Sequence, residues 1–368
     1  MTTSFVDSCV ETVAGSASRV QRHSGGRPKA KRLLRALAEK KRILVTTHMH
    51  PDPDALASII AMRHLLRTRL PAAKVDLAIR GQIGGGINEA FTRYVKLDAL
   101  DWDSTDLAEF DAIVLLDVQP NFAYSPLPNE VTPTVVIDHH RSRGRRPNWA
   151  FADIRPEVGS TCSIVFSYFM ELEMTIPPDL AATLLYGVES DLAGAAALPT
   201  SLDNMALSSL MLLADQHLIY QMRYVDLPRS YYLAYAAGLA TAMWYDTCLV
   251  AHLGEIDSLE KPAVIADFLL RFDQAHWALV TAVHNHRLVL SLRTQARDRS
   301  AGDVMKRLLR GIGEGGGHRA KAGGFVPLEN GSETEIERHR KTLRRRLLRI
   351  LHVGESRGQR LVPRDPTG

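Results

Sequence analysis

Short apolar runs alternate with amphipathic stretches in the first half of the chain. The runs predict strands at residues 41–48, 74–80, 110–118 and 132–140, and residues 55–70 have the wide apolar face of a helix. Strands that are apolar along their whole length are typical of a sheet covered on both faces. Alternating strands and helices predict a mostly parallel sheet flanked by helices.

The second half of the chain repeats this alternation after a helical segment. Helical patterns dominate residues 160–240, and a second α/β pattern begins near residue 246. This pattern contains predicted strands at 247–253, 278–284 and 288–293, and predicted helices at 262–271, 301–312 and 336–350. The expected fold class is α/β, with an N-terminal mostly parallel sheet and a smaller C-terminal α/β domain. The last helix is strongly basic, which is compatible with a solvated surface or with a nucleic-acid contact.

Composition places the chain among globular proteins of two domains. It has 368 residues, of which 45% are hydrophobic and 23% are charged, and a net charge of +4 that favours anionic partners only mildly. The three cysteines are too few and too scattered for a disulfide framework or a thiolate zinc site, so a reducing cytoplasm is the expected location. No signal peptide or membrane span is expected from the sequence.

Histidines and aspartates follow the predicted strands. His48, Asp52 and Asp54 fall in the turn after the first strand, and Asp117 ends the third. The fourth strand ends in Asp138, His139 and His140, and Asp191 ends a predicted helix. A carboxylate that ends a buried strand is costly unless it is paired or bound to a metal. Ligands of parallel sheets bind beyond the carboxyl ends of the strands, so this set is the candidate site.

The chemistry of this set indicates metal binding. His48, Asp52, Asp54, Asp117, His139 and Asp191 offer carboxylate oxygen and imidazole nitrogen but no thiolate. Such donors suit manganese or a similar divalent metal better than a structural zinc. Four carboxylates exceed the needs of one ion, whereas two ions that share a carboxylate can activate a water and hold a phosphoryl group. Phosphoester hydrolysis is the reaction that this pattern favours.

A glycine-rich motif, GEGGGHRAKAGG, lies far downstream at residues 313–324. Consecutive glycines can surround a phosphate with backbone N–H groups, although a glycine run alone is often only a flexible turn.

The motifs HMHPDPDALAS, LLDV, VVIDHH, SDLAG and GGGHRAKAGG occur here in this order. Together they resemble the DHH phosphoesterases with their DHH-associated C-terminal domain, over residues 40–330. In size the chain is similar to the oligoribonuclease (nanoRNase) and pAp phosphatase types within the RecJ-like superfamily. The resemblance implies that the active site lies in a cleft between the two domains. A composition rich in serine, glycine and arginine predicts a flexible arm at 1–28, and the helical pattern before the second α/β segment predicts a helical linker at 221–245. The resemblance implies a catalytic domain at 29–220 and a substrate-binding domain at 246–352, followed by a tail at 353–368.

The resemblance also implies roles for individual residues. His48 and Asp52 would hold one manganese ion, Asp54, His139 and Asp191 a second, and Asp117 would bridge the two. Asp138 would orient His139, and His140 would lie by the scissile phosphate as a donor or acid. Gly316, Gly317 and His318 would bind substrate, and Arg293 is a weaker match that is equally compatible with a surface strand.

The function that we expect is manganese-dependent hydrolysis of short oligonucleotides or of 3′-phosphoadenosine 5′-phosphate, through a hydroxide shared by two ions. The expected partner is a short nucleic acid or nucleotide, with no membrane, and a homodimer is left open. A pyrophosphatase or exopolyphosphatase is the alternative enzyme, and a non-catalytic nucleotide sensor is the alternative outside enzymes.

Overall fold

A computed structural model describes residues 28–81, 83, 87–141, 149–192, 199–296, 298–317, 319–354 and 357–363. The predicted substrate-binding residue His318 therefore lies outside the described residues, and so does the expected arm at 1–28 except for Pro28. The chain divides into two compact units, and the division falls between Val225 and Asp226.

The first unit is built on a parallel sheet of six strands. Its elements are α1 (Lys29–Leu37), β1 (Arg42–Thr46), α2 (Pro53–Arg69), β2 (Lys74–Ile79), α3 (Ile87–Tyr94), β3 (Leu100–Asp101), β4 (Ala112–Leu116), β5 (Val135–Asp138), β6 (Phe151–Ile154), α4 (Thr161–Glu171), α5 (Pro178–Leu192), α6 (Ser201–Leu213) and α7 (Gln216–Arg223). The strand order is β3-β2-β1-β4-β5-β6, and every described pair is parallel.

The core of this unit explains why the central strands are apolar throughout. Ile43, Leu44 and Val45 of β1 are fully buried, and so are Val114 and Leu115 of β4. Side chains alternate between the two faces of a strand, so a strand buried at every position must be covered on both sides. The predicted parallel sheet with flanking helices is confirmed.

The second unit carries a separate, mostly antiparallel sheet. Its elements are α8 (Arg229–Thr241), β7 (Met243–Tyr245), β8 (Cys248–Glu255), α9 (Lys261–Leu269), β9 (Trp277–His284), β10 (Arg287–Thr294), α10 (Ala301–Leu309), β11 (Glu314–Gly317), β12 (Lys321–Pro327), α11 (Glu333–Leu351) and β13 (Gln359–Arg360). The strand order is β11-β12-β10-β9-β8-β7-β13, in which only β8 and β9 pair in parallel among the described strands. This sheet with its helices is the expected second α/β domain.

The segment 221–245 is divided between the two units instead of forming a linker of its own. Helix α8 packs within the second unit, where Ala234 joins an apolar cluster and Gly238 lies against Ile265 and Leu253. A Cβ on Gly238 would lie 2.7 Å from Ile265 Cγ2, so this helix approaches α9 closely.

No helix in the described ranges is both long enough and apolar enough to cross a membrane.

Candidate metal centre

The loops after β1, β4 and β5, the first turn of α2 and the last turn of α5 bring the six predicted metal ligands together. The six fall into two of the three groups of described residues in which one ligand atom of every residue lies within 4.8 Å of the others; the third group is Asp117 with His139 and His140. The two groups of predicted ligands are His48 with Asp52 and Asp117, and Asp54 with His139 and Asp191.

Asp117 belongs to the first group and also lies beside the second. Its Oδ2 is 3.5 Å from Nε2 of His48, and its Oδ1 is 3.4 Å from Nε2 of His139. The backbone at Asp117 has a φ of 60°, a left-handed conformation that aspartate tolerates better than most residues. The turn directs the carboxylate to the end of the sheet, where it is almost completely buried. Each carboxylate oxygen thus lies near the histidine of one group.

Asp54 is held by the N-terminus of α4. Its Oδ2 accepts a hydrogen bond from the backbone N–H of Thr161 at 2.8 Å, and its Oδ1 accepts one from Cys162 at 2.9 Å. A helix N-terminus favours a negative charge at this position. Nevertheless, burial and the charges of Asp117 and Asp191 raise the pKa of Asp54 well above its usual value. Carboxylates crowded into a buried space need a positive charge among them.

The two histidines of the groups face the carboxylates through Nε2. Their other ring nitrogens lie close to backbone carbonyls, Nδ1 of His48 at 2.9 Å from Met49 O and Nδ1 of His139 at 3.2 Å from Val158 O. An Nδ1–H that donates to a carbonyl leaves the Nε2 lone pair for a metal. Burial lowers the pKa of His48, but the hydrogen bond with Asp117 and the charge of Asp52 outweigh it and raise that pKa to about 9.

His140, not His139, is the partner of Asp138. Oδ1 of Asp138 accepts hydrogen bonds from the ring Nδ1 of His140 at 2.6 Å and from its backbone N–H at 3.0 Å. The expectation that Asp138 orients His139 is therefore corrected, because the chain bends after Asp138 and brings the backbone N–H and the ring of the residue two positions later to its carboxylate. Gln119 completes the arrangement, since its Nε2 donates to Oδ2 of Asp138 at 2.6 Å and to the carbonyl of His140 at 3.1 Å.

An aromatic pair borders the same site. The ring of Tyr124 lies edge-on to His48 and His140, with centroid distances of 5.9 and 6.5 Å. Phe122 lies 5.4 Å from Tyr124 and 6.2 Å from His140. Tyr124 is 38% exposed, so its ring is accessible to a ligand.

The predicted substrate residues of the second unit differ in their surroundings. Gly316 and Gly317 lie in the edge strand β11, so this part of the glycine run is not a flexible turn. Gly317 is packed against backbone, since a Cβ there would lie 2.3 Å from Lys321 O. A Cβ on Gly316 would meet only Lys306 Cε, at 3.7 Å. Arg293 donates to Oδ1 of Asp267 at 2.8 Å, so this guanidinium is already ion-paired.

Three residues that contact the predicted site residues were not anticipated. Thr161 donates its hydroxyl to Oδ1 of Asp117 at 2.8 Å. Gln119 and Tyr124 both follow Asp117 within seven positions. Their place in the loop after β4 is a signal that could have suggested a role, whereas nothing in the sequence links Thr161 to Asp117.

The donor set fits divalent cations of the manganese type. It consists of carboxylate oxygens and imidazole nitrogens, which hard and borderline divalent ions accept. Cys162 is buried nearby, but its Sγ donates to the carbonyl of Asp54 at 3.3 Å and burial raises the pKa of its thiol. The thiol is thus protonated and does not contribute a thiolate ligand.

Comparison with known proteins agrees with this chemistry. Residues 42–188 match the model of the DHH family, N-terminal domain. An uncharacterized protein of Methanocaldococcus jannaschii, MJ1633, is 28% identical over 306 residues, which are 82% of this chain and 62% of that protein. A probable manganese-dependent inorganic pyrophosphatase of Streptococcus equi subsp. zooepidemicus is 32% identical over 155 residues, which are 41% of this chain and 48% of that enzyme. The chain thus aligns with less than two thirds of either relative.

A solved structure shares the fold of most of the chain. It is an exopolyphosphatase-related protein from Bacteroides fragilis, with a TM-score of 0.69 and 17% sequence identity. The match covers 88% of this chain and 97% of that one. At this identity the likeness establishes the α/β architecture.

Proposed function

We propose that the chain is a phosphoesterase that requires divalent metal ions, manganese in particular, since residues 42–188 match the model of the DHH family, N-terminal domain. The observation that carries this proposal is the position of Asp117 between two groups of candidate ligands. Two divalent cations bound there would neutralise phosphate charge and activate a water molecule for attack.

The residues of the chain would hold the substrate and move a proton. Asp138 accepts the Nδ1 proton of His140 and fixes the imidazole ring. When the ring also carries a proton on Nε2, that nitrogen of His140 would pass it to the leaving oxygen of the phosphoester. Gln119 would keep this pair in place through its contacts with the Asp138 carboxylate and the His140 carbonyl.

Short oligonucleotides, such as linear dinucleotides, or 3′-phosphoadenosine 5′-phosphate are the proposed substrates. The accessible ring of Tyr124 beside His48 and His140 supports a substrate that carries a base. Stacking of a base on an aromatic side chain contributes about 1–3 kcal/mol. In the second unit, Gly316 leaves its backbone open to a close approach, which is compatible with a phosphate contact there.

A pyrophosphatase is the second candidate, because one relative carries that name and is 32% identical over its matched region. Pyrophosphate has no base, so the Tyr124 ring would have no ligand group to contact in such an enzyme. Substrate preference separates the two candidates.

Product analysis tests the proposal. The manganese-loaded chain is incubated in parallel with pApA, a five-nucleotide RNA, 3′-phosphoadenosine 5′-phosphate and pyrophosphate, and the products are separated by chromatography. We expect AMP or other mononucleotides from at least one of the first three. Phosphate from pyrophosphate alone would establish the second candidate, and no product from any of the four would contradict both.

The matched control is Asp117→Asn. Asparagine tolerates the left-handed backbone at this position, so the variant removes a charged oxygen without adding backbone strain. We expect no product from this variant and fewer bound manganese ions per chain by elemental analysis. Full activity of Asp117→Asn would contradict a role for two metal ions.

A further inference from the structure

Two neighbouring helices of the second unit, α10 and α11, share a strongly basic surface. Arg346 joins them, since its Nη1 donates to the carbonyls of Leu308 and Arg310 at 2.9 and 3.0 Å. We define the basic face by the exposed cationic side chains on these two helices and the turn after α10, which are Lys306, Arg307, Arg310, Arg338, Lys341, Arg345 and Arg349.

The positive charge of the basic face is only partly neutralised by the chain itself. Between residues 338 and 351 the sequence has seven lysines and arginines and no carboxylate. Lys341 lies 3.7 Å from Glu337. Arg345 and Arg349 form no ion pair within the described ranges. The carboxylates of α11 lie near its N-terminus, where the helix dipole favours them.

Helix stability does not explain most of these cations. The dipole favours positive side chains in the last turn of a helix. In α11 only Arg349 lies in the last turn. Arg338, Lys341 and Arg345 precede it and follow the helix at spacings of three and four residues, which places them on one side.

The surface is not suited to a membrane. A helix that lies on a bilayer inserts large apolar side chains between the lipids. Among the described residues, no large hydrophobic side chain of α10 or α11 is exposed. The leucines of α11 face inward, since Leu343 and Leu347 are buried in the core of the second unit.

The basic face adjoins the glycine strand. A Cβ on Gly316 would lie 3.7 Å from Lys306 Cε, so the side chain of Lys306 extends from α10 to the edge strand β11. From Arg338 to Arg349 the row on α11 extends about 16 Å at the usual rise of a helix. This length suits several successive phosphates, and guanidinium groups bind phosphate with two parallel hydrogen bonds.

We propose that the basic face binds the sugar–phosphate backbone of a single-stranded RNA longer than a dinucleotide. The contact is electrostatic and independent of base sequence. It goes beyond the proposed function, because binding here requires neither metal ions nor turnover at the first unit.

The test compares two pairs of charge reversals in the full chain. Arg345→Glu with Arg349→Glu removes two cations from the basic face. Arg93→Glu with Lys96→Glu makes the same change in net charge at exposed positions of the first unit. Arg93 and Arg349 both lie in the last turn of a helix, so the dipole effect is matched. Affinity is measured by fluorescence anisotropy with a labelled 20-nucleotide oligouridine RNA, in EDTA to prevent hydrolysis.

We expect the Arg345/Arg349 pair to weaken RNA binding about tenfold. A plot of log affinity against log salt concentration has a negative slope, and the magnitude of that slope should decrease by about 1.4, or 0.7 for each lost phosphate contact. The Arg93/Lys96 pair should bind as the unaltered chain does. Circular dichroism of both pairs controls for folding.

Turnover of pApA with manganese is measured on the same proteins and should be equal in both pairs. A failure of the proposed function would appear as no turnover in any protein, with RNA binding unaffected. Three outcomes would overturn the basic-face proposal: no RNA binding by the unaltered chain, equal loss in both pairs, or no loss in either. Binding to vesicles with 30% phosphatidylserine but not to RNA would also overturn it, in favour of a lipid surface.

Discussion

Thr161 donates its hydroxyl proton to Oδ1 of Asp117 over 2.8 Å, and this bond connects the start of α4 with the loop after β4. The same turn of α4 provides the two backbone N–H groups that hold Asp54. One helix N-terminus therefore positions a carboxylate from each group of candidate ligands. The geometry of both groups depends on how α4 packs against the sheet.

Replacement of Thr161 by valine tests this connection. Valine has the same shape but no hydroxyl, so Asp117 loses one hydrogen bond while the core keeps its volume. We expect manganese affinity to fall about tenfold, which is typical for the loss of a partner that orients a metal ligand. Isothermal titration with manganese measures the affinity. Thr161→Ser retains the hydroxyl and should bind manganese as the unaltered chain does; equal affinities of the valine and serine variants would contradict the role.

Gln119 should affect catalysis more than metal binding. Its amide contacts Asp138 and the carbonyl of His140 but none of the six candidate ligands. We expect Gln119→Leu to lower kcat for pApA roughly 10- to 100-fold, by analogy with other residues that support a site. The number of bound manganese ions should not change. Loss of manganese with no specific loss of kcat would show that Gln119 supports the ligands instead.

Tyr124 should discriminate between substrates. We expect Tyr124→Ala to raise KM for pApA about tenfold or more, since one stacked base contributes about 1–3 kcal/mol. Any hydrolysis of pyrophosphate should be unaffected. Tyr124→Phe keeps the ring and should keep the KM for pApA. A KM that is unchanged in the alanine variant would argue against stacking on this ring.

Substitution by alanine should have different effects at the adjacent residues Gly315 and Gly316 of β11. A Cβ on Gly315 would lie 2.6 Å from Leu309 Cδ1 and 2.7 Å from Gly323 O, whereas Gly316 has space for one. We expect Gly315→Ala to lower the melting temperature of the second unit, because overpacking reduces the free energy of unfolding by about 1–3 kcal/mol. Gly316→Ala should leave the melting temperature unchanged and raise KM for pApA. Equal melting temperatures of the two variants would contradict this assignment.

Asp153 should make the stability of the first unit depend on pH. It is buried and accepts hydrogen bonds from Arg155 and Tyr168, and it pairs with Lys29. Burial raises the pKa of Asp153, but the hydrogen bond and charge of Arg155, with Lys29, outweigh it and lower the pKa below its usual value. A lowered pKa adds stability above the unfolded-state value of about 3.9, and this contribution is lost as pH falls through the folded-state value.

Urea unfolding of the unaltered chain and of Asp153→Asn measures this contribution. At pH 7 we expect the variant to be less stable by about 3 kcal/mol, as for other buried pairs that lose one partner. The difference should decrease as the pH is lowered below about 4, because the unfolded-state carboxyl takes up a proton there before the native one does. A difference that is constant from pH 7 to pH 3 would contradict the role of its charge.

The sequence predicted the elements whose burial is uniform. Strands β1, β4 and β5 are continuous apolar runs, and each was expected within three residues of its observed ends. Strand β6 was not expected, because its four residues FADI include the buried charge of Asp153. That charge is compensated by Arg155, two positions later, but also by Lys29, which lies 124 positions earlier in the chain. A pattern in a short window does not contain this information.

The metal ligands of the candidate site could also be predicted from local sequence patterns, whereas contacts between distant residues could not. All six candidate ligands were identified because each follows a strand or ends a helix, and the structure brings them together. Thr161 was missed because its partner Asp117 is 44 positions away. The partner of Asp138 was assigned wrongly, because adjacent histidines are equivalent in sequence until the backbone direction is known.

Parallel strands are joined by long connections, so the candidate ligands at their ends come from distant parts of the chain. Metal binding would therefore be coupled to the folding of the first unit. Its candidate ligands extend from His48 to Asp191, and half of them come from outside the segment that runs from β1 into α2. An unfolded chain would therefore hold the ions weakly, so bound metal would act as a folding ligand whose concentration sets the stability of the whole unit. At 100 times its dissociation constant, one such ion adds about 2.7 kcal/mol. The supply of the metal would then control how much folded protein exists, as well as how fast it works.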